Sequence, residues 1–164
     1  MQEQFWLELE REAKPARRLL ERIPSDRLDW RPHPNSRTLG DLAWHMASIP
    51  LVVSGMVQGT TAERTAVIWP TQPRDMPAAL DNHLEQARTN LARLNETALA
   101  SAFTVTVNSR EIVQTTRAGF LRWAMLTHFI HHRAQLGLYL RLLDLPVPSI
   151  VGPSFDENPF LPKT

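Results

Sequence analysis

Four stretches of the chain place apolar residues at alternating spacings of three and four, the period that keeps side chains on one face of an α-helix. In the first, predicted over about 2–23, the stripe is Trp6, Leu9, Ala13, Ala16, Leu20 and Ile23, with Glu8, Glu10, Arg11, Arg18 and Glu21 outside it. Pro24-Ser25 ends it. The second, over about 38–58, opens at Thr38 with Asp41 three residues on, a capping-box pattern with Asp in place of Glu. Its stripe is Leu39, Leu42, Met46, Ile49, Val53 and Met56, and Pro50 within it predicts a kink. The third, over about 76–98, has Asp75 as N-cap, Pro77 in its first turn, and Leu80, Leu84, Ala87, Leu91, Leu94 and Ala98 as its stripe. The fourth, over about 116–143, is the longest and most apolar, so it is predicted to lie enclosed by the other three.

The connections carry their own signals. Trp30-Arg31-Pro32-His33-Pro34-Asn35-Ser36 reads as irregular, because each proline restricts its predecessor to extended geometry. Gly59 to Arg74 reads as a loop, with Pro70, Pro73 and a Trp69 that packs over the bundle. Phe103 to Val107 alternates apolar residues with threonine, and Asn108-Ser109 predicts a short hairpin with Ile112-Val113. From Asp144 onward five prolines predict an extended arm on the surface. The expected fold class is all-α: a four-helix bundle in one domain over 1–164, with a short hairpin near 103–113 and a proline-rich tail.

Composition narrows the function classes. The chain is 43% hydrophobic and 21% charged, which is globular composition. A net charge of +1 with dispersed basic residues gives no electrostatic case for nucleic acid. The absence of cysteine excludes thiolate catalysis, disulfides and sulfur-rich metal sites. Met1-Gln2-Glu3-Gln4-Phe5-Trp6 lacks the layout of a secretory signal, and no stretch is apolar enough to span a membrane. The expected location is the cytoplasm.

The six histidines are unevenly placed. His128 and His132 lie four apart in the most apolar helix, about 40° apart around its axis, which is a pair geometry that clamps a metal. His128 and His131 form the competing pair. Counting in three-four steps puts Leu121, Met125, His128, His132, Gln135, Tyr139 and Leu142 on one line, which favours His132, although so apolar a helix can bury two faces. A third ligand must come from another helix, and His45 sits within the apolar stripe of the second. A metal on one of its nitrogens and a hydrogen bond on the other would satisfy a buried imidazole. His33, among prolines, and His83, beside Leu84, read as surface or rim residues.

These residues carry a resemblance. Leu39-Gly40-Asp41-Leu42-Ala43-Trp44-His45-Met46-Ala47, preceded by Trp30-Arg31-Pro32, resembles the first metal-binding helix of the DinB/YfiT-like family. His128-x-x-His131-His132-Arg133-Ala134-Gln135-Leu136, running on to Tyr139-Leu140-Arg141, resembles that family's last helix. The segment from Val147 to Glu157 resembles a terminus found in one branch of it. The resemblance spans the whole chain in order and spacing. It implies a four-helix bundle of unusual connectivity, often homodimeric, with His45, His128 and His132 as ligands and His131 outside the set. Ala134 replaces the family's usual glycine, and Val151 stands where that branch commonly has tyrosine, so a pocket role for that tyrosine is not carried over.

Three neutral imidazoles leave a divalent ion its full charge and an open position, the layout of a catalytic rather than a closed structural site. Imidazole suits zinc and nickel, and also iron and copper. Asp41, one turn before His45, either orients a ligand imidazole or caps its helix; Arg133 and Gln135 are candidates to contact a ligand or the substrate. Relatives in the wider family include thiol-dependent transferases, which implies a metal-dependent transferase or hydrolase acting on a small molecule, with a low-molecular-weight thiol as a candidate partner. The rival expectation is a non-catalytic metal-binding or dimeric stress-response protein whose ion supports the fold.

Overall fold

The computed structural model describes residues 2–67, 75–158 and 160. Helix α1 spans Gln2–Leu20, α2 Leu39–Met56 and α3 Met76–Ala92. The last helical run begins as α-helix at Arg117–Phe120, passes through a π-helical stretch at Leu121–Thr127, and returns to α-helix at His128–Leu142. We call that final piece α5, and the short helix Glu96–Ala100 that follows α3 is α4. The four long helices touch in a ring, α2 against α3 and α5, and α1 against α3 and α5. Their stripes meet in one core that includes Leu9, Leu42, Met46, Leu80, Phe129 and Leu136. Among the described residues no helix is long and apolar enough to cross a membrane.

The helix starts follow from local chemistry. Thr38 caps α2 by accepting the Asp41 backbone N–H at 3.0 Å, and Asp75 caps α3 by accepting that of Ala78 at 3.0 Å. Helix α2 continues through Pro50 to Met56. The third predicted helix ends early, at Ala92, because Asn95 starts a new one by accepting the Ala98 N–H at 2.8 Å.

The molecule is not purely helical. Strands β1 (Thr61–Glu63), β2 (Ala102–Val107) and β3 (Arg110–Thr116) form a sheet in that order, β1 parallel and β3 antiparallel to β2. The hairpin lies where the alternation predicted it. Asn108 and Ser109 both take positive φ, 50° and 63°, as a tight two-residue connection requires. The parallel strand β1 corrects the expectation of a plain loop from Gly59 to Arg74; Trp69, Pro70 and Pro73 lie outside the described residues. Glu63 fastens β1 to the hairpin. Its carboxylate accepts from Thr106 Oγ1 at 2.8 Å, from the Asn108 and Ser109 amides, and from Thr65 Oγ1 at 2.7 Å. Those bonds, from Thr65 and Thr106 above all, hold its pKa down to about 2.

The tail is also more compact than an extended arm. Glu157 accepts two bonds from Arg18, at 2.6 and 2.7 Å, and one from the Ser149 amide. Asp156 pairs with Arg141 and accepts the Val147 amide. These carboxylates fold the segment back on itself beside α1 and α5.

One buried cation joins sheet to bundle. Arg117, 7% exposed, donates through Nε to the carbonyls of Val57 (2.8 Å) and Gly59 (3.0 Å). Its Nη1 donates to Ala98 O and to the Ser101 hydroxyl. A guanidinium thus sits at the C-terminal ends of α2 and α4, where orphan carbonyls and the helix dipole both favour positive charge. Arg117→Met leaves the buried Val57 carbonyl dry and unbonded and removes the bonds to Gly59 and Ala98, and should cost about 2–4 kcal/mol. Thermal or urea unfolding measures it; a midpoint indistinguishable from wild type would refute the assignment.

Candidate metal centre

His45 lies in the second turn of α2, and His128 and His132 face it from α5. Phe129, Leu136 and Leu140 turn the core face of α5 inward, which leaves His128 and His132 on the flank that meets α2. Their Nε2 atoms converge. His45 Nε2 lies 3.2 Å from His128 Nε2, and His132 Nε2 lies 2.8 Å from it. One candidate ligand atom from each of the three falls within 4.8 Å of the others. Nitrogens held at ~2.0–2.1 Å from a tetrahedral ion stand about 3.3 Å apart, so the spacing suits a divalent ion.

The hydrogen bonds behind the rings show what the converging atoms carry. His132 Nδ1 lies 2.7 Å from Gln135 Oε1, a carbonyl oxygen that only accepts. The proton of a neutral His132 is therefore on Nδ1, and its Nε2 presents a lone pair. The His128 ring bonds to the backbone carbonyl of Ala124. That carbonyl is open because of the π-helical stretch: the His128 backbone N–H goes to the Trp123 and Met125 carbonyls and passes over Ala124. With Nε2 turned to the other histidines, the proton on that carbonyl belongs to Nδ1. Two lone pairs then face each other at 2.8 Å, which is repulsive until a cation lies between them. The residues fit a metal ion.

Burial is the largest force on their titration. It pushes the His45 pKa down to about 3, with Arg37 and the neighbouring imidazoles adding to it, and His132 down to about 4 against the opposing pull of Gln135. His128 is lowered for the same reason.

The triad opens onto a cavity of about 880 Å³. Its walls are mainly apolar, from α2, the sheet and the π-helical stretch, with Arg37, Arg64 and Asp41 among them. His131, exposed, sits at the rim with its ring centroid 4.9 Å from that of His132. Asp41 is exposed on the first turn of α2, where its backbone N–H completes the Thr38 cap. Arg133 is elsewhere: buried at 4% exposure, it binds the carboxylate and backbone carbonyl of Glu12 on α1. One residue beyond His132 is about 100° further around the helix, which takes Arg133 away from the cavity. Val151 is 90% exposed and Ala134 is exposed, so neither departure from the family pattern touches the triad. His33 is exposed, as expected, but His83 is buried at 6%, its Nδ1 2.9 Å from Ala47 O on α2. Sequence reasoning missed Arg37, Arg64 and the π-helical stretch. The arginines carry no motif, and the stretch has no compositional mark.

A lowered histidine pKa stabilises the fold above the unfolded value near 6.5, and that stability is lost as pH falls toward the folded value. The metal-free protein should therefore lose thermal stability between about pH 6.5 and pH 4. His45→Gln should flatten that slope; an unchanged slope in unfolding scans would show that the triad is not its source.

Comparison with known proteins agrees with this fold. The structure is similar to that of a DinB-like protein from Bacillus subtilis, with a TM-score of 0.70 at 19% identity over 96% of this chain and 99% of that one. It is also similar to a DinB-like protein from Bacillus cereus, with a TM-score of 0.67 at 21% identity over 90% and 96% of the two chains. At such identities the likeness is one of fold. No curated protein gives a significant match. The family model for the DinB family, however, matches residues 1–159, and the chain belongs to the DinB family.

Proposed function

We propose that this protein holds a divalent metal ion on His45, His128 and His132 and uses its open side, toward the cavity, as a metal-dependent transferase or hydrolase for a small molecule. The observation that carries this reading is the pair of proton-free Nε2 atoms held at 2.8 Å, with the third at 3.2 Å, beside a cavity large enough for a substrate. Zinc or nickel suits the all-imidazole set best, and iron or copper is compatible with it. When bound, such an ion supplies Lewis acidity and lowers the pKa of a water or a low-molecular-weight thiol in its open position. The chain's own residues do the positioning. Gln135 holds the His132 tautomer, the Ala124 carbonyl holds that of His128, and the cavity walls offer mainly apolar surface beside the triad.

The alternative is an ion that only supports the fold. The core argues against that role, since Leu42, Met46, Phe129 and Leu136 already pack α2 and α5 together beneath the histidines. A homodimer belongs to the same proposal. Ile130, Leu138 and Leu142 leave an exposed apolar row on α5, and light scattering of the purified chain tests it.

His128→Ala should reduce bound metal from about one ion per chain to near zero while the unfolding midpoint of the metal-free form changes little. Elemental analysis and calorimetry together decide. Metal-free wild type that is unfolded at room temperature would instead mark the ion as structural. No stoichiometric uptake of zinc or nickel would end the metal reading.

Gln135→Ala should weaken metal binding about 10–100-fold, because the His132 ring loses the acceptor that sets its tautomer. His131→Ala should leave affinity close to wild type. Competition against a chromogenic chelator measures both, and equal effects of the two changes would contradict the assigned ligand set.

A further inference from the structure

The cavity in front of the triad has a polarity of its own. Two arginines line it, Arg37 from the segment before α2 and Arg64 from the turn after β1. Both backbones are tethered. Arg37 O accepts the Tyr139 hydroxyl from α5 at 3.3 Å, and Arg64 directly follows Glu63, the carboxylate that fastens β1 to the hairpin. Both guanidinium heads, by contrast, are exposed and have no hydrogen-bond or ion-pair partner among the described residues. Among the described residues Asp41 is the one carboxylate in the lining, and it makes no ion pair with either.

The same cavity exposes apolar surface. Trp123, 59% exposed, and Ile112, 46% exposed, are two of the large hydrophobic residues left uncovered, and both line it. Ile112 is there because of a bulge in β3. The register passes from Val105↔Val113 to Thr106↔Glu111, so Ile112 has no partner on β2. A bulged residue loses the strict alternation of a strand, and here Ile112 and Val113 both line the cavity.

We propose that the cavity's ligand is an amphiphilic anion: a small molecule whose carboxylate is held by Arg37 and Arg64 and whose apolar body covers Trp123 and Ile112. This rests on the metal-site reading only for the location of the reacting end. Carboxylate recognition comes from the arginines, through charge-assisted bonds a neutral amide cannot match. The apolar body gains by burying surface that water now covers.

The test is calorimetric titration of the full chain with 4-phenylbutyrate and with 4-phenylbutyramide, each with the zinc-loaded and the metal-free protein. Wild type should bind the acid about tenfold or more tightly than the amide in both forms. Arg37→Gln/Arg64→Gln should bring the ratio near one with amide affinity unchanged, since neither side chain has a structural partner among the described residues. Trp123→Ala should weaken both ligands severalfold and keep the ratio. Equal binding of acid and amide to wild type overturns the proposal, as does no measurable binding of the acid. A preference that survives the double substitution, or exists only with zinc, overturns it too, because the carboxylate is then on the ion. A chain that takes up no zinc yet prefers the acid through the two arginines refutes the metal reading and upholds this one.

Discussion

Three imidazoles whose Nε2 atoms converge, two of them lone pair to lone pair, are a constraint that the rest of the fold must hold in place. For His132 and His128, Nε2 is free of its proton because the opposite nitrogen of the ring is committed, to Gln135 and to the Ala124 carbonyl respectively. Without a cation this convergence is repulsive and partly dry, so something else must press the helices together. That is the packing of α2 on α5, where Leu42, Met46 and Phe129, none more than 1% exposed, lie just beneath the site. At about 1.5–3 kcal/mol for each large apolar side chain buried, a few such residues offset the strain of the triad. The π-helical stretch belongs to the same device. It shifts the backbone bonds by one residue and frees the carbonyl that His128 needs.

Much of this was legible in the residues. The three-four stripes located all four long helices, because burial on one face leaves a period that no loop imitates. The Thr38 and Asp75 caps and the Asn108-Ser109 turn were legible for a similar reason: each depends on two or three neighbouring residues. His45, His128 and His132 emerged as polar interruptions of apolar stripes, while the choice between His131 and His132 needed more than spacing. The structure puts His131 at the exposed rim and His132 at 9% exposure.

What was not legible depends on partners far away in the chain. Strand β1 is three residues long and exists because β2, about forty residues later, offers it a parallel edge. The tail is compact because Glu157 meets Arg18 across a separation of 139 residues. His83 is buried because the Ala47 carbonyl on another helix receives its Nδ1, so a histidine on a mixed face became a helix contact instead of a rim residue. Arg133 looked like a site residue through adjacency, yet its Glu12 partner lies on α1, on the other side of α5. Arg37 and Arg64 are the same failure reversed: residues without any pattern, brought to the cavity by turns.

The cavity is therefore built in two parts. Its floor, the triad, stands on two long helices whose geometry is fixed by the common core. Its roof is the sheet and the turn after β1, attached to the bundle by Phe103 and Val105 in the common core and by Arg117 at the ends of α2 and α4, and held together within by Glu63. Residues that line the cavity from the roof, such as Ile112 and Arg64, can change without disturbing the converging imidazoles, because no hydrogen bond between them is found among the described residues. Similar folds at 19% and 21% identity are what such a division permits. The core needs only apolar residues of suitable size on the stripes, the floor needs three histidines and the carbonyls behind them, and the chemistry of the roof is free to follow the ligand.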